Sequence, residues 1–323
     1  GLFPYGGAPH PLYGEIGAQS LGDNLRPSSQ GGNNYAEGGA VAVPAINPLV
    51  NTQDQLDNYL AARGGRADSD GLYIHWIGGN DLAAAALAPL AARQIVDNSA
   101  SAAASQVSRL LDAGAGTVIV PTVPNVGATP ALLQAILQVL GPAAQPATAA
   151  LFQSLSTTTT PDRAAREQAI ETALGEAAGQ ISSIPLIRDA IAQQLIAAWQ
   201  LLSQEAAALT DRYNQAEEQG LVTARGNIAR VDINGLFNEV IDNPGLYGLT
   251  NTAGMACPPG VSAMDCTSST TGFSQSQQYL FADRLHPSPA VHALIADYIQ
   301  SVLNAPLQVA ALSQAPSMLV GDA

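Results

Sequence analysis

The sequence predicts an α/β protein, a three-layer α/β/α doubly wound and mainly parallel sheet with a helical insertion. Three observations point there. A continuous apolar run, Leu72–Ile77, is followed by an alanine-rich helical stretch and then by a second apolar run, Thr117–Val120. Strand, helix, strand in that order is how a parallel pair with a crossover reads. The middle third then changes to helical periodicity before strand character returns at Asn227–Asp232.

Residues 1–50 are rich in Gly, Pro and Asn, with a short helix expected over Leu12–Leu21 and Gly22 as its C-terminal cap. Leu72–Ile77 is the first buried strand, ending in Gly78-Gly79-Asn80-Asp81. A helix is expected from about Asn98 to Ala113, with Val107, Leu110 and Leu111 on one face and Gly114 at its end. Leu133, Ile136, Leu137 and Leu140 recur at helical spacing, as do Ile170, Leu174 and Ile181, and then Ile187, Ile191, Leu195 and Leu202. With a helix start at Pro161-Asp162, these give three or four amphipathic helices up to about Gly220. They form an insertion over about residues 131–220, read either as a lid or as ordinary packing helices. Val291, Leu294, Ile295, Tyr298 and Val302 mark a last helix. One domain is expected over 1–305, with a sparse Ala/Gln/Ser linker over 306–323.

Composition narrows the function. A net charge of −14 argues against nucleic acid, whose phosphates it would repel. No apolar run reaches the roughly 18 residues of a membrane-spanning helix. The first residues lack the basic start and apolar core of a signal peptide, and the first residue is not Met, so a longer precursor is expected. Cys257 and Cys266 fit neither a redox pair nor a zinc site. They read as a local disulfide worth roughly 2.5–3 kcal/mol, and hence as a mark of an oxidising compartment, against the alternative of two free surface thiols. The acidic residues show no metal-ligand spacing, and no cofactor motif is present.

Two segments carry chemistry. Asp283-x-x-His286 places a carboxylate where it can accept the imidazole Nδ1–H, leaving Nε2 to act as a base, with Pro287 disfavouring helix at His286. Gly78-Gly79-Asn80-Asp81 permits a tight turn at the C-terminal edge of the sheet, where open α/β sheets bind ligands, and Asn80 can donate from its amide there. The competing reading is that Asn80 or Asp81 caps a helix. A third segment, Asn34-Tyr35-Ala36-Glu37-Gly38-Gly39-Ala40, is a further turn able to present backbone N–H groups. His75 and His292 read as structural, His10 has no nameable partner, Trp76 reads as core, and Trp199 as helix packing or the wall of an acyl pocket.

Taken in this order, the three segments resemble the GDSL or SGNH hydrolases. The resemblance implies an oxyanion hole from the Gly39 N–H (with Gly38 as the one-residue alternative) and Asn80, with Asp283 orienting the base His286. Val123–Pro130 is similar to the loop that follows a core strand in that family. The Cys loop, helical middle and tail resemble the passenger domains of bacterial autotransporter esterases. That implies export to the cell surface, outer membrane or medium, and a C-terminal outer-membrane translocator domain as partner. The implied activity is a serine carboxylesterase or lipase acting on a small-molecule or lipid acyl ester without cofactor, the apolar helical middle favouring a fatty-acyl chain. A carbohydrate acetylesterase, or a non-catalytic acyl- or glycan-binding relative, shares the same residues. The family's nucleophilic serine follows an N-terminal strand. Gly22-Asp23-Asn24-Leu25 looks like its block with Asn in place of Ser, but a helix end precedes it and Gly39 follows too soon. The expectation is a strand and its serine ahead of Gly1.

Overall fold

A computed structural model describes residue 28 and residues 32–141, 144–263, 266 and 278–305. The expected helix at Leu12–Leu21, the Gly22–Leu25 segment, His10 and the tail after Ala305 lie outside these residues.

The chain enters through α1 (Thr52–Ala62), whose N-cap Asn51 accepts from the Asp54 N–H. Next come β1 (Leu72–Ile74), α2 (Gly79–Leu87), α3 (Ala92–Asp112) and β2 (Thr117–Pro121). A 3₁₀ turn, Val126–Ala128, leads into α4 (Pro130–Gln138), α5 (Gln145–Thr157), α6 (Arg163–Ile181) and the 37-residue α7 (Pro185–Leu221). β3 (Asn227–Val231), α8 (Ile233–Asp242), β4 (Asn251–Met255), β5 (Tyr279–Phe281) and α9 (Pro289–Leu303) complete the described fold.

β1, β2 and β3 form a parallel sheet in that order, and β4 and β5 form a separate parallel pair. The period-2 alternation of side chains makes the layers. Val118 and Val120 of β2 and Ile228 of β3 pack on Val107, Leu110 and Leu111 of α3. Ile119, Ala229 and Val231 point the other way, onto Phe237 and Val240 of α8 and Ile295 and Ile299 of α9. Helices thus cover both faces, the three-layer α/β arrangement. The middle helices build a core of their own, in which Leu133, Ile170, Leu174, Leu195 and Trp199 are buried with Ala253 and Met255 of β4.

Several elements differ from the sequence-based expectation. β1 stops at Ile74 rather than Ile77, although the His75 N–H still donates to the Ile119 carbonyl of β2 (2.9 Å). α3 starts at Ala92, ahead of the expected Asn98. Leu140, Ile181, Ile187 and Leu202 match the helical period but are exposed at the ends and on the outer face of the insertion. α8, β4 and β5 had no counterpart in the sequence reading.

Candidate active site

The candidate residues lie beyond the C-terminal ends of β1 and β5. β5 leads into a tight loop, in which the Ala282 N–H donates to the His286 carbonyl (2.8 Å) and the Ser288 N–H to the Leu280 carbonyl (2.9 Å). Ser288 then caps α9, with Pro289 at its first turn, so the loop cannot continue as strand or be absorbed into helix. Inside it, Asp283 Oδ2 accepts from His286 Nδ1 (2.7 Å) and from the Ala263 N–H (2.9 Å). Asp283 Oδ1 accepts from the N–H groups of Leu285 (2.9 Å) and His286 (2.8 Å). The carboxylate's roughly four acceptor positions are filled. Burial would raise the Asp283 pKa, but the hydrogen bond and charge of His286, with the backbone donors, prevail and hold it below the usual value. An ionised Asp283 requires the proton on Nδ1, so Nε2 of a neutral His286 carries the lone pair.

Ala263 is a site residue that the sequence did not reveal, since only its backbone takes part. It lies in the loop closed by the Cys257–Cys266 disulfide, whose Cα atoms are 6.0 Å apart. The Cys257 N–H also donates to the Ala282 carbonyl (2.8 Å), tying this loop to the approach to Asp283.

The second cluster sits at the end of β1. Glu37–Ala40 forms a turn in which the Ala40 N–H donates to the Glu37 carbonyl (3.3 Å). Gly39 has φ +82°, the left-handed value that a type II turn needs at its third residue. Asn80 and Asp81 lie within the first turn of α2, and the cap position belongs to Gly78. Helix capping by Asn80 or Asp81 is therefore not what they do. Asn80 Nδ2 donates to the Ala40 carbonyl (2.8 Å), which uses one of its two N–H bonds and joins it to the Gly39 turn. Gly78, at φ +125°, lies against Tyr213: a Cβ there would come within 2.5 Å of the ring.

The two clusters are connected through the loop after β2. Trp76 Nε1 donates to the Thr122 carbonyl (3.2 Å), and Val123 packs beneath Gly78. Asn214 of α7 holds both backbone groups of Val123 (2.8 and 2.9 Å), and Thr210 accepts from the Val126 N–H (3.4 Å). The buried Arg166 guanidinium donates to the Ala128 carbonyl (2.8 Å) and to that of Thr252 in β4 (3.2 Å). At the loop's end the Ala131 N–H donates to the Arg284 carbonyl (2.9 Å), within the Asp283–His286 loop. Thr210, Tyr213, Asn214 and Glu217 follow helical spacing on α7 and form a polar stripe that is buried.

His75 donates from Nε2 to Gln106 Oε1 (2.9 Å), and burial lowers it to about 4. His292 is fully buried on α9, and burial followed by the nearby His286 lowers it to about 4. Both are neutral near pH 7. Trp199 is buried among the insertion helices.

The chain is 44% identical over 313 residues to a protein named Lipase 1 from Photorhabdus luminescens, an alignment covering 97% of this chain and 48% of that protein. The chain thus spans about half the length of that relative. Residues 6–299 match the GDSL-like lipase/acylhydrolase family, and the chain belongs to that family.

Proposed function

We propose that the protein is a serine carboxylic-ester hydrolase, an esterase or lipase that works through an acyl-enzyme. The observation that carries this reading is the His286 Nδ1–Asp283 Oδ2 hydrogen bond of 2.7 Å, on a carboxylate already held by three backbone N–H groups. Such a carboxylate fixes the imidazole's tautomer and orientation and stabilises the imidazolium that forms. His286 takes the proton of a serine hydroxyl as that oxygen attacks the ester carbonyl. It returns the proton to the leaving alcohol, and then activates water to hydrolyse the acyl-enzyme. The Gly39 N–H and the second N–H of Asn80 receive the oxyanion.

The serine is assigned to a strand upstream of Gly1. Among the described residues β1 pairs only with β2, and Leu72 and Ile74 of β1 are 44% and 36% exposed. A strand added along that edge would pair with β1 beside them. The disulfide favours export, and a translocator domain in the remainder of the full-length protein is part of the proposal.

The test is fluorophosphonate labelling of the full-length protein, with hydrolysis of nitrophenyl esters of increasing acyl length. Labelling of a serine upstream of Gly1, lost in H286A, is expected, with hydrolysis extending to long acyl chains. Labelling elsewhere, or none, overturns the assignment. Cleavage of acetyl esters alone makes it an acetylesterase.

A further inference from the structure

We infer that Asp81 is a positioning residue for the oxyanion pair: with Asn80 it clamps the Gly39–Ala42 segment onto the first turn of α2. The inference rests on the ester-hydrolase reading above. Asn80 and Asp81 are consecutive, and they grip alternate residues of one segment. Asn80 Nδ2 donates to the Ala40 carbonyl (2.8 Å), while both Asp81 oxygens accept from the Ala42 N–H (3.0 and 3.2 Å). The carbonyl of residue 40 and the N–H of residue 42 are thus read like the edge of a strand, by side chains instead of a neighbouring strand. From the other side Gln106 Nε2 donates to the Ala42 carbonyl (2.9 Å). Gln106 Oε1 in turn accepts from Thr52 Oγ1 (2.6 Å) and His75 Nε2 (2.9 Å), which fixes the amide's orientation. Ala40, Ala42 and Asp81 are all essentially inaccessible to solvent.

The residue type matters. Asp81 is fully buried, and no Arg or His side chain bonds to it among the described residues; both of its oxygens accept from the Ala42 N–H, with the buried Ser99 hydroxyl of α3 beside them, and burial raises its pKa. A carboxylate in such a place is expensive unless its acceptors are used. Its place in the first turn of α2, at the positive end of the helix dipole, offsets part of that cost. The consequence is geometric. The Gly39 N–H and the Asn80 side chain come from segments 41 residues apart, and the clamp makes them one rigid body before substrate arrives. A preorganised donor pair needs no rearrangement as charge develops on the ester oxygen, and a displacement of about 1 Å costs on the order of 10²-fold in rate.

The experiment compares the full-length wild type with D81L, which removes the acceptor, and D81N, which keeps one. Expected for D81L is a kcat lower by about 30- to 100-fold with KM within about threefold, and for D81N a kcat within about fivefold of wild type. Amide hydrogen exchange gives the second readout: the Ala42 N–H, outside any helix or strand, should be strongly protected in wild type and D81N and exposed in D81L. Unchanged kcat in D81L, equal losses in both variants, or fast Ala42 exchange in wild type overturns the clamp. If D81L does not fold, exchange at Ala42 in wild type and D81N decides. A wild type that hydrolyses no ester defeats the functional reading, and the exchange comparison still judges the clamp.

Discussion

At the residue scale, Asp283 matters through what it holds. D283N would keep the volume but let the imidazole adopt the other tautomer, so kcat should fall by about 10²- to 10⁴-fold on a nitrophenyl ester with little change in thermal midpoint. Tyr213 makes the opposite case. Its ring supports Gly78, while its hydroxyl is buried without a hydrogen-bond partner among the described residues. Urea denaturation should find Y213F as stable as wild type or more so, and Y213A weaker by about 3–5 kcal/mol. His292 contributes a pH dependence. An unfolded imidazole binds its proton near 6.5, whereas buried His292 holds off until about 4. Its stabilisation is therefore complete above about pH 6.5 and lost as pH falls toward 4, by up to about 3 kcal/mol. Asp283, lowered by its partners, acts in the same sense at still lower pH. Burial lowers His75 to about 4 as it does His292, which adds to the fall; urea midpoints at pH 7, 5.5 and 4.5 should drop in that order, and a flat profile would refute both assignments. Asp283 and His286 were legible in the sequence because both sit in one short loop, where spacing alone brings carboxylate to imidazole. Ala263 and Ala42 were not, because each acts through a backbone N–H that any residue but proline supplies.

At the element scale, legibility followed how local each element's stabilisation is. β2 and α3 carry their apolar pattern in their own residues, and the sequence reading found both, placing β2 and the end of α3 closely but starting α3 six residues late. β4, Asn251-Thr252-Ala253-Gly254-Met255, has little intrinsic strand character. Asn251 fixes it instead, donating from Nδ2 to the carbonyls of Leu155 (2.7 Å) and Thr158 (2.8 Å) and accepting from its own neighbours, Ala253 and Gly254. α8 had no counterpart in the sequence reading although Ile233, Phe237, Val240 and Ile241 form an ordinary amphipathic stripe. The turn before α2 gives a sharp prediction. G78A meets both a positive φ and the Tyr213 ring, so a loss of more than about 1 kcal/mol in urea is expected, with a kcat loss from the displaced Asn80. The cysteine loop gives another. Reduction, or C257S/C266S, should lower stability by about 2.5–3 kcal/mol, and it should lower kcat too, because Ala263 on that loop holds Asp283. Titrating activity against thiol content checks this; full activity in the reduced form would separate the loop from the site.

At the scale of the whole molecule, the helical middle and the sheet are not separable parts. Sequence periodicity left its role between lid and packing helices, since apolar stripes say which face is buried and not what it is buried against. The buried polar stripe of α7 settles on the loop after β2, and the Glu217–Arg230 ion pair (2.5 Å) fastens the same helix to β3. This has a consequence for how the chain is made. The donors and acceptors of Val123 and Val126 find their partners on residues 210–214, so a nascent chain that has released β1, α3 and β2 cannot yet complete the loop that follows β2. Some 90 further residues must emerge before the first strands are locked, an order of events that leaves the early sheet exposed during synthesis. A fragment ending before Thr210 should therefore stay unfolded or aggregate, and ribosome-bound chains should acquire protease resistance only once α7 is out.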